Sequence, residues 1–574
     1  MNNFIKKTFS IVPKKFLNSI LLVIFLTLVN ATLELFSIGL IIPFLSIFLN
    51  KSNSFFEFFG LATRFSNQQL VLIVLLLFLI VYFLKNFFLI LFQLIKINFS
   101  HDLSEIISAK LYNKYIKKKY YFFTQKNTSE LSRNIIGETN IFSFGVVMSI
   151  MSLISDIIIF LSILIFLFYY NVVATLFASI LIIFFGSLVV FFQSQKLKFF
   201  GNIRQIHSNL ILKLVNESIG NIKEVTLSNT HEYFLNKYSY YMFKNTNAGK
   251  KKDFYFILVR PILEVLAVFM FLILAYFLNK FGNSISEILI TIGVFSAASL
   301  KLIPTVTNLL KGFQGLRYNK VVVELLYKEL ENKNDDSEII LNKKKEDHNF
   351  QFEKLELKNI SYSYPGTDKV ILNEINFKID AGENIGLIGP SGSGKTTLIN
   401  ILTGLIEPKS GIVKINNENL NYNIRSWQNN IGYVSQNTYL ADETLLFNIV
   451  FNKIGQKVDY KRAEYLIDIL DLKQLIISNK NGLDFNVGEA GIKLSGGQIQ
   501  RIGIARALYH TPKILILDEA TNAVDQNTEE KILKNIYKEM EKLTVISVSH
   551  DLKSLKYCKK IFEIVEKKII TVIK

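Results

Sequence analysis

A glycine-rich loop in the second half of the chain carries side chains suited to phosphate chemistry. Its sequence is GPSGSGKTT, formed by Gly389, Pro390, Ser391, Gly392, Ser393, Gly394, Lys395, Thr396 and Thr397. A loop of the form GxxxxGK[ST] surrounds phosphates with backbone N–H groups at a helix N-terminus, brings its lysine to the terminal phosphates and offers its hydroxyl to Mg²⁺. The motif therefore predicts a bound nucleotide with Mg²⁺, and Thr396 is a predicted metal ligand.

A second motif, LSGGQ at residues 494–498, suggests a second surface that faces phosphates. It places a serine and two glycines where a helix should begin, so Ser495, Gly496, Gly497 and Gln498 are candidate nucleotide contacts. The first loop already completes a phosphate site within the chain. We therefore expect the second motif to contact the nucleotide of a partner chain.

Polar residues also follow several strand-like segments. The apolar run 514–517 ends in Asp518 and Glu519, Gln436 follows the run 431–434, and His550 follows the run 545–548. A carboxylate at such a strand end can hold Mg²⁺ through water, and its neighbour can polarise the attacking water. We predict Asp518 and Gln436 as metal contacts, and Glu519 and His550 as catalytic residues.

The elements around these residues indicate an α/β P-loop NTPase cassette. The phosphate loop lies between an apolar strand at 384–388 and a helix at 396–402, which is the context that the motif requires. Upstream, Tyr364 precedes a proline and is a candidate for stacking on an adenine ring, although a surface or core tyrosine is the alternative.

The first half of the chain has the composition of a membrane domain. The chain has 574 residues, is 50% hydrophobic, carries a net charge of +18 and has one cysteine. Six apolar stretches can span a bilayer: 16–48, 70–98, 142–170, 172–192, 254–277 and 285–310. The lone Cys558 excludes a disulfide framework within the chain and a zinc site built from cysteines. Basicity alone is little reason to predict nucleic-acid binding, so we expect none.

The distribution of lysine and arginine predicts the orientation in the membrane. The segments after the second and fourth spans are rich in lysine, whereas the loops after the first, third and fifth spans carry few positive charges. By the positive-inside rule, both termini and the cassette are cytoplasmic, in the inner or cytoplasmic membrane of a cell. The basic start precedes an apolar run that is too long for a signal peptide, so we expect an uncleaved first span.

We therefore predict a multi-domain membrane protein: an all-α transmembrane domain of six helices at 1–317, a charged linker at 318–349 and the cassette at 350–574. The two polar segments between spans extend into the cytosol and turn at 122–131 and 220–232. Solvated hairpins are the alternative for these turns. No internal repeat is visible, so a second copy of the chain is expected to complete the membrane half.

Together these motifs resemble the ATP-binding cassette superfamily, and the order of the two halves resembles a half-size exporter of type IV. The resemblance implies that Tyr364 stacks on adenine, that Asp518 holds Mg²⁺, that Glu519 is the catalytic carboxylate and that His550 contacts the γ-phosphate. It also implies a head-to-tail dimer with two ATP molecules between the cassettes, and coupling helices at the two turns. The sequence departs from the family at Asn522 and Val524, where serine and leucine are usual.

Charges within the spans are the main sequence signal for cargo. Ionisable residues in a membrane are costly and are functional candidates; here they are Glu34, Lys85, Asp156, Arg260, Glu264 and Lys301. At about 1.5 Å per residue, Lys85, Arg260 and Lys301 fall at the inner leaflet, and Glu34 falls in the outer half. These three basic residues would suit a phosphate or pyrophosphate headgroup. The alternatives are side chains that extend to the interface and a local Arg260–Glu264 pair.

Within the family, patches of sequence resemble the lipid-linked oligosaccharide flippases of bacterial protein glycosylation, the PglK type. They are residues 122–140, the LELFSIGLIIPF run around Glu34, and Arg260 with Pro261 and Glu264. This implies an amphipathic, lipid-linked substrate and contact with membrane lipids. A multidrug or lipid A-like exporter is the alternative. A peptide exporter with a peptidase domain is disfavoured by the short start, a soluble cassette protein by the spans, and a channel or receptor by the intact ATPase motifs.

Overall fold

The computed structural model describes residues 2–48, 67–280, 285–331, 351–367, 369–422, 424–451, 457–540, 542–550 and 552–572. They form two compact units, a helical N-terminal unit and an α/β C-terminal unit. A helical unit followed by an α/β unit confirms the fold class that the sequence predicts.

The helical unit contains short helices that connect very long ones. Its helices are α1 (Asn2–Ile11), α2 (Leu17–Gly39), α3 (Ile41–Phe48), α4 (Asn67–Ile116), α5 (Tyr120–Gln125), α6 (Thr128–Ser132), α7 (Met148–Tyr170), α8 (Val172–Gly220), α9 (Ile222–Leu227), α10 (His231–Lys280), α11 (Ile285–Tyr318) and α12 (Lys320–Glu331). A 3₁₀ turn, Lys14–Phe16, precedes α2, and two π-helical segments, Arg133–Glu138 and Ile141–Val147, precede α7.

Six helical stretches are long and apolar enough to cross a bilayer, which confirms the six predicted spans. Helices α4 and α10 have 50 residues each and α8 has 49. At about 1.5 Å per residue each is about 75 Å long, more than twice the hydrocarbon thickness of about 30 Å. These helices therefore extend well beyond the membrane. The predicted turn at 122–131 overlaps α5 and α6, and the one at 220–232 contains α9.

The start of the predicted linker, 318–349, contains a packed helix. Helix α12 buries Val322, Val323, Leu326 and Leu330 in a core that also contains Ile11 of α1 and Leu103 of α4. These apolar positions share one face at helical spacing, so the segment has a hydrophobic surface to bury despite its charges. Residues 332–349 of the predicted linker lie outside the described residues.

The α/β unit contains two sheets. Its strands are β1 (Lys354–Ser363), β2 (Val370–Asp380), β3 (Asn384–Ile388), β4 (Ser410–Ile415), β5 (Glu418–Asn419), β6 (Ile431–Val434), β7 (Ile514–Asp518), β8 (Thr544–Val548), β9 (Lys560–Val565) and β10 (Lys568–Val572). Its helices are α13 (Lys395–Leu402), α14 (Ile424–Asn429), α15 (Leu445–Val450), α16 (Tyr460–Ile469), α17 (Lys473–Ser478), α18 (Gly496–Tyr509) and α19 (Gln526–Glu539).

The larger sheet brings the predicted site residues to one edge. Its strand order is β10-β9-β3-β8-β7-β6, and all neighbouring pairs except β10–β9 are parallel. The carboxyl ends of β3, β8, β7 and β6 therefore share an edge. A separate antiparallel sheet has the order β2-β1-β4-β5.

Side chains of β7 alternate between two hydrophobic cores. Ile514 and Ile516 pack with α13 and the antiparallel sheet, whereas Leu515 and Leu517 pack with α15, α16 and α18. All five residues of β7 are buried, as expected for a central parallel strand covered on both faces. The two faces of the sheet thus position the phosphate loop on one side and the LSGGQ helix on the other.

Candidate nucleotide site and intramembrane cavity

Backbone geometry explains the glycines of the phosphate loop. The φ angles of Gly389, Gly392 and Gly394 are +151°, +79° and +108°, a region that favours glycine. A Cβ atom on Gly389 would lie 2.8 Å from Ser393 Oγ, and one on Gly394 would lie 2.9 Å from Leu372. The loop therefore reverses direction within a space that only glycine fits, and it leads directly into α13.

The lysine of this loop lies across the loop itself. Lys395 Nζ donates hydrogen bonds to the carbonyl oxygens of Gly389, at 2.7 Å, and Pro390, at 3.1 Å. Ser393 Oγ is buried and has no hydrogen-bond partner among the described residues. A positively charged loop with an unsatisfied hydroxyl at a helix N-terminus fits nucleotide phosphates. Among these residues, the loop amides, Ser393 and Lys395 are placed to hold them.

Asp518 and Glu519 follow β7 in different environments. Asp518 is buried and accepts a hydrogen bond from Tyr433 Oη at 3.2 Å; burial raises the pKa of its carboxyl group. Glu519 has a φ of +51° and is held by Gln436 Nε2 at 2.7 Å and Asn522 Nδ2 at 3.1 Å. Two of the predicted site residues, Gln436 and Glu519, are thus joined directly by a hydrogen bond between their side chains.

These oxygen-bearing groups fit a Mg²⁺ ion, because the hard cation prefers carboxylate and hydroxyl oxygens and would favour the ionised form of Asp518. Asp518 and Thr396 are the residues that would hold it. The sequence did not reveal Tyr433 or Asn522 as members of this site. Tyr433 lies on β6 beside Ile516 of β7, and this strand pairing is visible only in the fold.

The predicted aromatic residue lies against the phosphate-loop helix. Tyr364 Oη is 3.3 Å from Thr397 Oγ1, and its ring meets Tyr362 edge to face with centroids 5.2 Å apart. His550 is exposed after β8 and lines a cavity of about 530 Å³ together with Thr521 and Asn522. His550 therefore shares a cavity with residues of the segment that directly follows Glu519.

Ser495 begins the LSGGQ helix by capping it. Its side chain accepts a hydrogen bond from Gln498 N, and the Gln498 side chain accepts one from Ser495 N, which forms a capping box. A Cβ atom on Gly497 would lie 3.1 Å from Ala523 O. In addition, Gln500 Oε1 accepts a hydrogen bond from Ala523 N at 2.9 Å. The motif is therefore packed directly against residues 523–524, which lie four and five positions after Glu519.

The helical unit contains a polar cavity of about 920 Å³ between its long helices. The charged side chains that line it are six cations, Lys85, Lys96, Arg204, Lys252, Lys301 and Lys311, and two carboxylates, Glu34 and Asp156. Polar residues such as Asn30, Gln93 and Asn308 also face it. The balance of charge gives this cavity a strongly positive lining.

The structure brings three of the four predicted substrate residues together. Glu34 forms an ion pair with Lys85, and its Oε1 is 3.4 Å from Lys301 Nζ. Glu34 is therefore within side-chain reach of both lysines, although counting from span ends placed it at a different depth from them. Arg260 is not among the residues that line this cavity; its Nε donates to Glu264 Oε1 at 2.7 Å on an exposed face of α10.

Several cavity cations are absent from the sequence-based set. Lys96 lies eleven residues after Lys85 on α4, close to three helical turns, so the two share a face. Lys96 Nζ donates to Ser152 Oγ at 3.0 Å. The eleven-residue spacing from Lys85 is the sequence signal that could have identified Lys96 as a cavity residue. Arg204, Lys252 and Lys311 lie near or beyond the predicted span ends, where hydropathy gives no reason to single them out.

Comparison with known proteins gives a family match for each half of the chain. A family model described as the ABC transporter transmembrane region matches residues 3–298, and one described as ABC transporter matches residues 372–522. An "ATP-dependent lipid A-core flippase" of Wigglesworthia glossinidia brevipalpis is 41% identical over 219 residues, 38% of this chain and 37% of that protein. A protein of the same name from Burkholderia pseudomallei (strain 1710b) is 27% identical over 470 residues, 81% of this chain and 77% of that protein.

The chain spans only about a third of the length of the first curated relatives in these alignments. Among solved structures, a bacterial Atm1-family ABC exporter with ATP bound superposes with a TM-score of 0.80 at 18% identity. The superposition covers 97% of this chain and 95% of that one, which establishes the same fold. Since the transmembrane-region model alone matches more than half of the residues, this multi-pass membrane chain belongs to the ABC transporter family.

Proposed function

We propose that the protein is an ATPase that moves an anionic amphipathic lipid from the cytoplasmic to the outer leaflet. Our first candidate for the cargo is a polyprenyl-pyrophosphate-linked oligosaccharide. The observation that carries the proposal is the cavity with six cations and two carboxylates among membrane-spanning helices. A cavity of this charge suits a phosphorylated headgroup, whereas neutral drugs would gain little from it.

The cassette supports ATP hydrolysis as the energy source. When bound, Mg²⁺ would supply charge neutralisation at the phosphates. Lys395 and the loop amides would bind and orient those phosphates, with Thr396 and Asp518 on the metal side. The Glu519 carboxylate, oriented by donors from Gln436 and Asn522, would accept a proton from the attacking water.

A second copy of the chain is the partner that this arrangement favours. Ser495, Gly496 and Gly497 begin a helix whose own chain already supplies a complete phosphate loop. We propose that they contact the nucleotide of the other copy. His550 and Tyr364 are proposed to contact the γ-phosphate and the adenine of the nucleotide held by the phosphate loop of their own chain. Both termini and the cassettes are proposed to be cytoplasmic, so that ATP is available to them, and no nucleic acid is involved.

A lipid A-like exporter is the second candidate. It is favoured by the two relatives named above, each of which is described as an ATP-dependent lipid A-core flippase. Lipid A also carries phosphate groups, so the cationic cavity suits either lipid. The glycan and the lipid chain differ between them, and a transport assay separates the two.

The test is lipid flipping in proteoliposomes with ATP inside or outside the vesicle. Fluorescent polyprenyl-pyrophosphate glycan and fluorescent lipid A are compared for wild type and Glu519→Gln. We expect wild type to flip the polyprenyl-linked glycan and the variant to flip neither. Flipping of lipid A alone would favour the second candidate, and flipping of the glycan without ATP would contradict the proposal.

A further inference from the structure

One carboxylate in the cavity is shared by two lysines from different helices. Glu34 of α2 forms an ion pair with Lys85 of α4 and lies 3.4 Å from Lys301 of α11. Glu34 and Lys85 are 5% and 4% exposed, whereas the Lys301 side chain is about a third exposed and faces the cavity. The three helices are therefore joined through a buried cluster that carries one net positive charge.

The carboxylate occupies the position that a phosphate oxygen would take between two ammonium groups. Two ammonium groups that approach one carboxylate also repel each other, so the lysines need an anion between them. A headgroup with two negative charges could neutralise both lysines without Glu34. If Glu34 also remained in contact, the site would hold an uncompensated negative charge, which is costly away from water.

We propose that Glu34 is an internal counter-anion that the headgroup of the substrate displaces from Lys85 and Lys301. The proposal rests on the proposed function only in taking the substrate to be an anionic lipid. It names the substrate class more closely: lipids with a doubly charged phosphate or pyrophosphate group. A singly charged phosphodiester, the group of ordinary bilayer phospholipids, that displaced Glu34 would exchange one negative charge for another and gain no neutralisation of the two lysines.

This arrangement makes Glu34 a specificity-determining residue. Bilayer phosphodiesters greatly outnumber any lipid-linked precursor, so a cationic cavity open to them would be occupied by the wrong lipid. Competition from a fixed carboxylate raises the charge that a ligand must bring before it can enter. Removing the carboxylate should therefore tighten binding, which is the opposite of the result expected for a residue that contacts the substrate.

The test is equilibrium binding to the full chain in phosphatidylcholine nanodiscs, without nucleotide. The probes are farnesyl pyrophosphate, the singly charged methyl diester of farnesyl phosphate, and farnesol. We expect wild type to bind only the pyrophosphate. Glu34→Gln should bind the pyrophosphate at least about fivefold more tightly, bind the diester measurably, and leave farnesol unaffected. Weaker or unchanged pyrophosphate binding by Glu34→Gln would overturn the proposal.

Two further variants remove the remaining ambiguities. Asp156→Asn removes the same charge from the same cavity but leaves the carboxylate that pairs with Lys85 and Lys301, so it should change pyrophosphate affinity less than about twofold. Equal tightening would attribute the effect to overall cavity charge and overturn the proposal. If Glu34→Gln does not fold, Lys301→Gln serves instead, because Lys301 is partly exposed. It should lose at least about tenfold in pyrophosphate affinity, and unchanged affinity would also overturn the proposal.

The binding experiment can refute the role of Glu34 without refuting the proposed function, and the reverse is also true. Binding is measured without ATP, so a protein that does not hydrolyse or transport can still show displacement of Glu34. Conversely, a protein that flips lipids in proteoliposomes but shows no tightening in Glu34→Gln would retain the proposed function and lose only the counter-anion role.

Discussion

The nucleotide site and the membrane cavity both gather charged groups, but they are assembled in different ways. In the cassette, Asp518, Glu519, Gln436 and the phosphate loop lie at the ends of parallel strands that share one edge. In the helical unit, the charges that meet come from α2, α4 and α11, which are far apart in the sequence. Motifs therefore locate the first site, whereas only helix packing locates the second.

The two regions also differ in how a buried carboxylate is stabilised. Asp518 receives a hydrogen bond from a neutral phenol, and burial still raises its pKa, so it is suited to a divalent cation. Glu34 is already paired with two lysines, so its negative charge is compensated within the chain. One carboxylate is poised to gain a cation, and the other to be replaced by an anion.

The largest effect is expected at Glu519, and it tests the cassette half of this comparison. Glu519→Gln removes the proton acceptor but keeps a side chain that Gln436 and Asn522 can still contact. ATP turnover should fall more than about a hundredfold, while ATP affinity changes less than about twofold. Steady-state hydrolysis and nucleotide binding are the measurements, with Glu464→Gln, an exposed carboxylate on α16, as the matched control. Turnover at the wild-type rate would refute the catalytic role.

Charge burial in the helical unit can also be purely structural, and Glu138 tests that case. Its carboxylate is buried between Arg204, at 3.2 Å, and Arg133, at 3.6 Å. Glu138→Gln removes the carboxylate that contacts both guanidinium groups, and this should lower the free energy of unfolding by about 3 kcal/mol. Thermal unfolding followed by circular dichroism measures the loss.

Two internal controls accompany this variant. The only tryptophan, Trp427, is buried in the cassette, so its fluorescence should report an unchanged cassette transition. Glu217→Gln removes an exposed carboxylate that lies 3.6 Å from Lys213, and should cost less than about 0.5 kcal/mol. If both variants lower stability equally, the buried cluster has no special structural role.

The sequence could predict features that depend on local patterns, but not those that depend on how distant segments pack. The phosphate loop, the strand ends and the six spans are local patterns, so their existence was predictable. The order of strands was not, because β8 lies between β3 and β7 although it follows both in the chain. Tyr433 was missed for the same reason: its contact with Asp518 depends on the pairing of β6 with β7.

The cavity was harder to predict because hydropathy gives the depth of a residue only approximately. Glu34 appeared to lie in the outer half and Lys85 at the inner leaflet, yet they form an ion pair. The helices are longer than the bilayer, and α2 ends at Gly39 within the first predicted span, so span ends are poor reference points. Likewise, the charges of residues 318–331 concealed the buried face of α12.

Lys301 and Arg260 test the membrane half of this comparison. On sequence alone both are predicted to belong to one substrate site, whereas in the structure only Lys301 lines the cavity. Lys301→Ala should weaken the response of ATP turnover to farnesyl pyrophosphate about tenfold, because it removes half of the two-lysine site. Arg260→Ala should change it less than about twofold, because Arg260 is paired with Glu264 on an exposed face. The concentration for half-maximal response is the measurement. Equal losses would return Arg260 to the substrate site.

The smallest effect is expected at Tyr433, and it tests how the cassette keeps its buried carboxylate ionised. Burial raises the pKa of Asp518, and the hydrogen bond from Tyr433 opposes that shift. In Tyr433→Phe the pKa should rise further, so Asp518 is protonated up to a higher pH and binds Mg²⁺ less well below it. The acidic limb of the pH profile of ATP turnover should move to higher pH, with about a threefold loss of turnover on that limb. Tyr439→Phe, at an exposed tyrosine, is the control. A Tyr433→Phe profile that superimposes on wild type would show that the phenol does not tune the metal-binding carboxylate.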